Sequence, residues 1–285
     1  MKLTDAVKII PQYLLPHHFL SSIMHSVTRS KTTYIKNFAI RTVIKLYDVD
    51  MKDALVTEPT AYPSFNHFFT RQLKPSARPI CQESNAVVSP VDGKVSQLGK
   101  INESRIFQAK GHHYTIEELL GDTALAACFK DGKFATLYLS PRDYHRIHAP
   151  LTGKLRQMIH IPGKLFSVNR VTTENVPGLF ARNERVVTVF DTDAGPMAAV
   201  LVGAIFVSSM DTVWAGTITP PYGKEIRKWD YRDKNFNLHK GDELGRFNMG
   251  STVILLFPKN TTNWNNKLKP GSEVIMGRKI GELIA

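Results

Sequence analysis

Residues 89–95 read SPVDGKV, and residues 149–155 repeat the same pattern as APLTGKL. In both stretches a small residue precedes proline, and a Gly-Lys pair leads into an apolar residue. Glycine adopts backbone angles that other residues avoid, so each stretch predicts a tight turn between two strands. Two such turns are typical of sandwiched-hairpin scaffolds, and we expect a barrel-sandwich-like body built from paired hairpins.

The pattern of apolar, polar and turn-forming residues changes along the 285-residue chain. Residues 1–55 have helical patterns, residues 56–80 form a proline- and aromatic-rich connection, and short β-type runs with Gly or Pro punctuation follow from residue 85. The most apolar long window, residues 194–210, is short for a membrane span and contains two glycines and a proline, so it predicts a buried strand pair. The sequence therefore predicts an α+β protein, with a helical region at 1–55 and a β-rich body at 56–285.

The formal net charge is +12, which suits an anionic partner. Residues 1–46 hold seven Lys or Arg and one acidic residue, Asp5, together with many large apolar side chains. A basic amphipathic helix at residues 34–47 fits a membrane interface, although helices packed on the body with a solvated basic face fit the same pattern. No helix-turn-helix, zinc-finger or RNA-binding pattern favours nucleic acid. Cys81 and Cys128 are expected to be reduced thiols.

Residues 140–150, SPRDYHRIHAP, place two histidines beside an acid. We expect a short helical turn over 141–148 that puts His145 and His148 on one face. Two exposed histidines beside arginines are the competing interpretation. Asp143 either supports the histidines or caps the turn, and the capping-box spacing favours the cap.

Two other positions could carry chemistry. Asp92 is a common turn former, but an aspartate can also orient a histidine, as in hydrolase triads. Gly250-Ser251 stands at the entrance of the apolar run 252–257, which would hold Ser251 rigidly. A glycine carbonyl has no side chain to shield it, so the hydroxyl of the next residue can attack it.

Together these pieces resemble the phosphatidylserine decarboxylase family over most of the chain. Met249 departs from the Leu or Gly that the family often has, a minor change between apolar fillers. The matching stretches are FFTRQLK (68–74), PVDG (90–93), residues 138–150, PGKLFSVN (162–169), VGA (202–204), TVWAG (212–216), KGDELGRF (240–247) and GST (250–252).

The resemblance implies an inactive proenzyme that cuts itself between Gly250 and Ser251, giving a β chain (1–250) and an α chain (251–285). His148, oriented by Asp92, takes the Ser251 proton, and Ser251 becomes a covalent pyruvoyl cofactor. The pyruvoyl carbonyl forms a Schiff base with the substrate amine and accepts the electrons left by CO2. His145 is the expected proton donor, with Asp143 as a possible support.

The resemblance also implies the substrate and the location. Phosphatidylserine would be converted to phosphatidylethanolamine at an anionic membrane surface. Phe166, Asn169, Gly203 and Ala204 are expected to line the substrate site. A homodimer, bound peripherally to the cytoplasmic face of the cell membrane, is expected, without nucleic acid and without a metal.

Three rival functions fit parts of the sequence. A zinc hydrolase could use His145 and His148 with a third ligand from His112, His113 or Asp92, but it leaves Gly250-Ser251 unexplained. A pyruvoyl enzyme could instead decarboxylate another substrate derived from an amino acid. A basic lipid- or nucleic-acid-binding module would need no chemistry at all.

Overall fold

The computed structural model describes residues 3–205, 209–248 and 251–284, and the bounds below refer to these ranges. A 3-10 turn at Pro59–Ala61 accompanies the helices. The helices are α1 Leu3–Leu14, α2 His17–Arg29, α3 Thr33–Tyr47, α4 Phe65–Phe69, α5 Ile116–Leu120, α6 Thr123–Ala127, α7 Arg170–Asn175 and α8 Leu179–Arg182.

The strands lie almost entirely after residue 85, as the sequence predicts. They are β1 Ala86–Val88, β2 Gly93–Lys100, β3 Arg105–Ala109, β4 His112–Thr115, β5 Lys133–Leu139, β6 Arg146–His148, β7 Gly153–Ile161, β8 Arg185–Thr192, β9 Gly195–Val202, β10 Met210–Thr212, β11 Gly216–Thr219, β12 Arg227–Asp230, β13 Asn237–Leu238, β14 Glu243–Phe247, β15 Ser251–Phe257, β16 Thr262–Trp264, β17 Glu273–Val274 and β18 Lys279–Leu283. The α+β class is confirmed.

A nine-stranded antiparallel sheet forms the main layer, in the order β12-β7-β8-β9-β15-β5-β2-β17 with β13 also on β7. Its middle strand, β15, pairs with β9 on one side and β5 on the other. Since both faces are covered, β15 reads as a continuous apolar run and is buried from Thr252 to Phe257. A smaller sheet, β11-β10-β14-β6, lies beside it, and β1-β18-β16 forms a third.

The two repeated turns lie against each other. Each one links strands of different sheets, β1 to β2 and β6 to β7. The Val88 amide donates to the Pro150 carbonyl at 3.1 Å, and the His148 amide donates to the Pro90 carbonyl at 2.9 Å. The repeat in the sequence therefore marks a pair of crossing connections between sheets, rather than two simple hairpin turns.

Glycine serves different purposes in the two turns. Gly93 has a φ of +156°, and a Cβ there would lie 2.2 Å from the Tyr138 carbonyl oxygen. Gly153 does not have a positive φ, and a Cβ there would lie 3.0 Å from the Asp191 carbonyl oxygen. The unusual backbone angle expected at both glycines is thus found at Gly93 only, and Gly153 allows close strand packing instead.

The N-terminal helices pack on the body through part of their surface. Pro11 lies inside α1, and Pro16 directly precedes α2, so the chain breaks between the two helices at Leu15 and Pro16. Ile40 of α3 is buried in a satellite core with Phe65, Phe68 and Phe69. The opposite side leaves large apolar side chains exposed. These include Leu14, Phe19, Tyr34, Phe38 and Leu46.

Two expected elements are wrong. Residues 141–148 do not form a helical turn, because residues 146–148 are strand β6, paired with β14. The sequence also predicts one strand over residues 212–218, but β10 ends at Thr212 and β11 starts at Gly216. It predicts another strand over residues 198–207, of which the structure has β9 ending at Val202, while residues 206–208 lie outside the described ranges. Among the described helices, none is long and apolar enough to cross a membrane.

Candidate active site

Two strand ladders end on either side of the Gly250–Ser251 bond. In the main sheet, the β5–β15 ladder ends with Leu139 opposite the backbone of Ser251. In the smaller sheet, β6 pairs with β14, and the Phe247 amide donates to the His145 carbonyl at 3.1 Å. The connection from β5 to β6 therefore has Leu139 opposite Ser251 and His145 opposite Phe247. In the chain, Phe247 and Ser251 stand on either side of the predicted cleavage bond.

His148, in β6, has both ring nitrogens engaged. Nδ1–H donates to the Gly241 carbonyl at 2.7 Å, so in the neutral ring Nε2 carries the lone pair. The Tyr144 hydroxyl lies 3.0 Å from Nε2 and donates to it. Burial lowers the pKa of His148 below its usual range, so the ring is neutral at pH 7. The hydrogen bond to Gly241 therefore fixes the tautomer of the neutral His148 ring, in which Nε2 is the basic atom.

The Gly241 carbonyl is itself held in place. Gly241 has a φ of +93°, and a Cβ there would lie 2.8 Å from Ile80 Cγ1. Its amide donates to the Ala149 carbonyl at 2.8 Å, immediately after β6. The positive φ and the close approach of Ile80 both favour glycine at this position. The carbonyl that sets the tautomer of His148 is therefore held by a conformation that suits glycine.

His145 is completely buried and stacks on Phe69, with ring centroids 4.1 Å apart. Its Nδ1–H donates to the Asp143 carbonyl at 2.8 Å. Within the described part of the chain, Nε2 has no hydrogen-bond partner. Burial lowers the pKa of His145 to about 3, so this nitrogen is an enclosed and unprotonated acceptor.

Asp92 is held by residues other than His148. Arg78 Nε lies 3.0 Å from each oxygen of its carboxylate, and the Met276 amide donates to Oδ1 at 2.8 Å. The Asp92 charge still raises the pKa of His148, as the smallest of five influences on that group. Asp92 therefore acts on His148 through space, and the structure contains no hydrogen bond between them.

Asp143 closes the turn that leads towards β6. Its Oδ2 accepts hydrogen bonds from the amide and the hydroxyl of Ser140, both at 2.7 Å. Burial raises the pKa of Asp143, while the Ser140 hydrogen bonds oppose this shift. The side chain thus stabilises the turn, whereas the hydrogen bond to His145 comes from the backbone carbonyl of Asp143. Support of the histidines by the Asp143 side chain stays a prediction.

A cavity of about 320 Å3 opens beside this cluster. Its wall includes Arg71, Asp92, Asp143 and Tyr144. Arg71 is buried and donates from Nη2 to the Arg142 carbonyl at 3.1 Å. Positive and negative groups therefore share one small polar cavity, whose wall includes Asp143 and Tyr144 of the histidine segment but neither histidine.

The four residues expected to line the substrate site do not line this cavity. Phe166 is buried under α1 and α2, with the Tyr13 ring centroid 5.2 Å away. Asn169 caps α7, accepting from the Thr172 amide at 3.1 Å. Gly203 and Ala204 follow β9, and the Gly203 carbonyl accepts from Asn183 Nδ2 at 2.8 Å. No hydrogen bond or ring contact joins these four residues to His145 or His148 in the described ranges.

Gly250 and the side chain of Ser251 lie outside the described residues. Three neighbours of the predicted residues escaped the sequence analysis, namely Tyr144, Arg78 and Gly241. Tyr144 stands within the histidine motif itself, four residues before His148, and could have been found there. Gly241 lies within the matching stretch KGDELGRF, which assigned it no role, and nothing local marks Arg78, because its contact with Asp92 depends on tertiary folding.

Two buried, neutral histidines lie on one segment of an α+β fold, and that segment has Leu139 opposite Ser251 and His145 opposite Phe247. These groups define a protein equipped for acid–base chemistry. A family model described as phosphatidylserine decarboxylase matches residues 65–282, and a second, described as PSD, matches residues 7–48. The chain belongs to the phosphatidylserine decarboxylase family. The resemblance stated from the motifs is therefore confirmed.

Curated relatives cover nearly the whole chain. A phosphatidylserine decarboxylase proenzyme of Azotobacter vinelandii is 54% identical over 282 residues, 98% of each chain. Proenzymes of the same name from Shewanella pealeana and Pseudomonas fluorescens are 52% and 53% identical over 284 and 278 residues. They cover 98% and 96% of this chain, and 99% and 97% of the relatives.

The comparisons do not support the zinc alternative. His112 and His113 lie on β4, in the separate β3–β4 hairpin. Within the described ranges, no group of three His, Cys, Asp or Glu side chains could hold a metal ion. The histidine chemistry is thus better explained by the family that the motifs and the relatives share.

Proposed function

We propose that this protein decarboxylates phosphatidylserine to phosphatidylethanolamine after cutting its own chain between Gly250 and Ser251. The observation that carries the proposal is the pair of ladders that set Leu139 opposite Ser251 and His145 opposite Phe247, on either side of the cleavage bond in the chain. Full-length relatives named as proenzymes of this decarboxylase support the same activity.

Self-cleavage begins with removal of the Ser251 proton by His148. The neutral ring has its lone pair on Nε2, the atom that takes the serine proton once the Tyr144 hydroxyl has turned away from it. The Ser251 oxygen attacks the Gly250 carbonyl, and the amide nitrogen is protonated as the peptide bond becomes an ester. Proximity favours this step, because both reacting groups belong to adjacent residues.

Elimination then breaks the ester. The Cα proton of residue 251 leaves with the carboxylate of Gly250, which leaves dehydroalanine at the new N-terminus. Addition of water releases ammonia and leaves a pyruvoyl group. The oxidation state is balanced within the residue, so the sequence of steps needs water and no external oxidant.

The two chains remain bound after cleavage. The α chain contributes β15, between β9 and β5 in the main sheet. It also contributes β17, paired with β2, and β18, paired with β1. Separation would require dismantling the sheets, so the pyruvoyl group stays where Ser251 begins β15.

The residues around Ser251 fit a pyruvoyl group. Among the described residues His145 Nε2 has no hydrogen-bond partner, and the ring is fully buried on the connection that follows Leu139, the pairing partner of Ser251. A pyruvoyl carbonyl supplies an electron sink for the pair left when CO2 departs. His145 returns a proton to the substrate carbon, and a substrate carboxylate near the ring raises its pKa so that it can first acquire that proton.

The N-terminal helices bring the enzyme to the lipid. Exposed apolar side chains on α1 to α3 accompany the basic excess of this region, a pattern suited to an anionic interface. A groove of about 570 Å3 between α2 and α3, lined by residues such as Val27, Ile35 and Phe38, can accept acyl chains. The helical region is thus the membrane-associating part of the protein, and it is attached to a sandwiched-hairpin body. The enzyme binds the cytoplasmic face of the cell membrane.

Phe166, Asn169, Gly203 and Ala204 belong to the proposed substrate side, where α1 and α2 meet the body. A homodimer remains the expected assembly. The domain division at residues 55 and 56 is part of the same proposal, although α3 shares a small core with α4 across it.

The test is the conversion of phosphatidylserine in mixed vesicles by the purified protein, followed as CO2 and phosphatidylethanolamine. The parent protein should release both in equal amounts, and Ser251→Ala should release neither. Release of CO2 from soluble amino acids, but not from vesicles, would favour the alternative pyruvoyl decarboxylase. Vesicle binding without product from the parent would favour a binding module.

A further inference from the structure

Helices α1 and α2 are fastened to the body by side-chain hydrogen bonds, not only by apolar packing. His18 Nε2 lies 2.9 Å from the Gly163 carbonyl, and His17 Nδ1 accepts from the Leu165 amide at 3.3 Å. Gln12 Oε1 accepts from the Ser167 amide at 3.0 Å. The helices proposed to meet the membrane therefore hold a loop of the proposed substrate side.

Arg29, at the end of α2, extends this attachment to a second place. Its Nη2 donates to the Ser209 hydroxyl at 2.8 Å, a contact between residues 180 positions apart. Its Nη1 donates to His25 Nδ1 at 2.9 Å, which orients the guanidinium from within the same helix. Arg29 is half-buried, and the nearby Asp211 carboxylate offsets part of the cost of burying its charge.

Ser209 is in turn bound to the end of β14. The Asn248 amide donates to the Ser209 carbonyl at 3.0 Å, extending the pairing of Met210 with Phe247. Asn248 Nδ2 donates to the Ser209 hydroxyl and, at 3.0 Å, to Asp211 Oδ2. Asn248 stands two residues before Gly250, so these contacts fix the chain directly before the proposed cleavage bond.

We propose that Arg29 is a positioning residue for self-cleavage, which connects α2 through Ser209 to the Asn248 end of β14. The inference rests on the proposed function and adds a dependence that the activity alone does not require. Cleavage becomes fast only when α2 is seated on the body. The same helix exposes Phe19 and Ile23, so its seating and its contact with lipid involve one rigid element.

The expected effect follows from the geometry of intramolecular attack. The hydroxyl and carbonyl of adjacent residues react fast only in a narrow range of orientations, and a displacement of about 1 Å can cost about a hundredfold in rate. Loss of Arg29 removes one of the two donors to the Ser209 hydroxyl and leaves Asn248 as the other. We therefore expect a cleavage rate reduced about tenfold to a hundredfold, without loss of the fold.

The experiment follows cleavage over time in full-length chains made by cell-free translation, with and without vesicles of phosphatidylserine and phosphatidylcholine. Arg29→Gln is compared with Arg29→Lys, which keeps a donor and the charge. Lys31→Gln is the matched control, because it removes the same charge from an exposed position two residues away. Hydroxylamine, which cuts esters, reports whether a slow variant stops before or after the first acyl shift.

Arg29→Gln should cleave slowly and accumulate no ester, Arg29→Lys should recover part of the rate, and Lys31→Gln should match the parent. Each variant is also made with Ser251→Ala, so that melting temperatures are measured on uncleaved chains. Parental cleavage by Arg29→Gln would overturn the inference. So would slow cleavage that parallels a large loss of melting temperature. An uncleaved parent chain would instead refute the proposed function itself.

Discussion

Replacing Asp92 with Asn removes a charge that the structure uses to join three separate parts of the chain. The carboxylate binds Arg78 through two nitrogens and the amide of Met276 through Oδ1. After cleavage, Met276 belongs to the α chain, whereas Asp92 and Arg78 belong to the β chain. We expect Asp92→Asn to weaken the folded state and to slow self-cleavage, for distinguishable reasons.

The loss of stability can be worked from this geometry. The side chains of Arg78 and Asp92 are only 17% and 12% exposed, so their ion pair is partly desolvated. Removing one partner of a fully buried pair costs about 3–5 kcal/mol. Arg78 retains Asp53 at 2.7 Å, which reduces the penalty, and we expect about 2 kcal/mol. For a chain of this size that is roughly 4 °C in melting temperature.

The slower cleavage has an electrostatic cause. The Asp92 charge raises the pKa of His148, so its removal lowers that pKa further. His148 remains neutral at pH 7 and still available, but it becomes a weaker base.

The assay separates the two effects. Melting is measured with Ser251→Ala present, so that every chain is uncleaved, and cleavage is timed without it. Asp53→Asn is the matched control, because Asp53 binds the same arginine from a side chain that is 54% exposed. An exposed pair contributes about 0–1 kcal/mol, so this control should melt within about 2 °C of the parent.

A double-mutant cycle with Arg78→Met gives the decisive comparison. We expect Asp92→Asn and Arg78→Met to be strongly non-additive, because each one removes the same ion pair. Additive losses of melting temperature, or a melting temperature unchanged by Asp92→Asn, would refute a stabilising ion pair between Asp92 and Arg78.

Three further predictions concern the histidines and one turn. His148→Ala should leave an intact chain on a denaturing gel, and in the parent the cleavage rate should stay constant as the pH falls past 6.5, declining only below it, since burial lowers the pKa of the base; a decline centred at or above 6.5 would contradict this. His145→Ala should cleave but decarboxylate at least a hundredfold more slowly, as product assays on cleaved protein can establish, and parental turnover would remove His145 from the mechanism. Gly93→Ala should lower the melting temperature by several degrees, because its Cβ would lie 2.2 Å from the Tyr138 carbonyl oxygen, and an unchanged melt would show that the turn can relax.

The order of the fold was largely readable from the sequence. The repeated turns at 89–95 and 149–155 mark real connections between strands, and the β-type runs expected from residue 85 onward are strands in the structure. Short strands such as β6 and β13 have too few alternations to be recognised from the sequence alone. They exist through pairing with partners distant in the chain.

The histidine segment shows how tertiary contacts override a local signal. Ser140, Pro141 and Asp143 resemble the start of a helix, and Asp143 does bind the Ser140 amide as a capping residue would. The pairing of β6 with β14, almost a hundred residues further on, nevertheless extends the chain before a helical turn can form. The expectation that His145 and His148 share one face rested on that helical turn, and residues 146–148 form a strand instead.

The surroundings of Asp92 could not be predicted in this way. Motif resemblance pairs it with His148, whereas the structure gives its hydrogen bonds to Arg78 and Met276. Both contacts join distant segments, and neither Arg78 nor Met276 carries a local signal. Asp92 can therefore influence cleavage through the effect of its charge on the pKa of His148. It also joins Arg78 of the β chain to Met276 of the α chain.

The central claim is that the chain cuts itself between Gly250 and Ser251, and a mass spectrum under denaturing conditions tests it most directly. The purified parent should give two chains, 1–250 and 251–285, with a carbonyl-bearing and blocked N-terminus on the smaller. Ser251→Ala should give one intact chain. An intact parent chain of 285 residues that nonetheless decarboxylates phosphatidylserine would contradict the account.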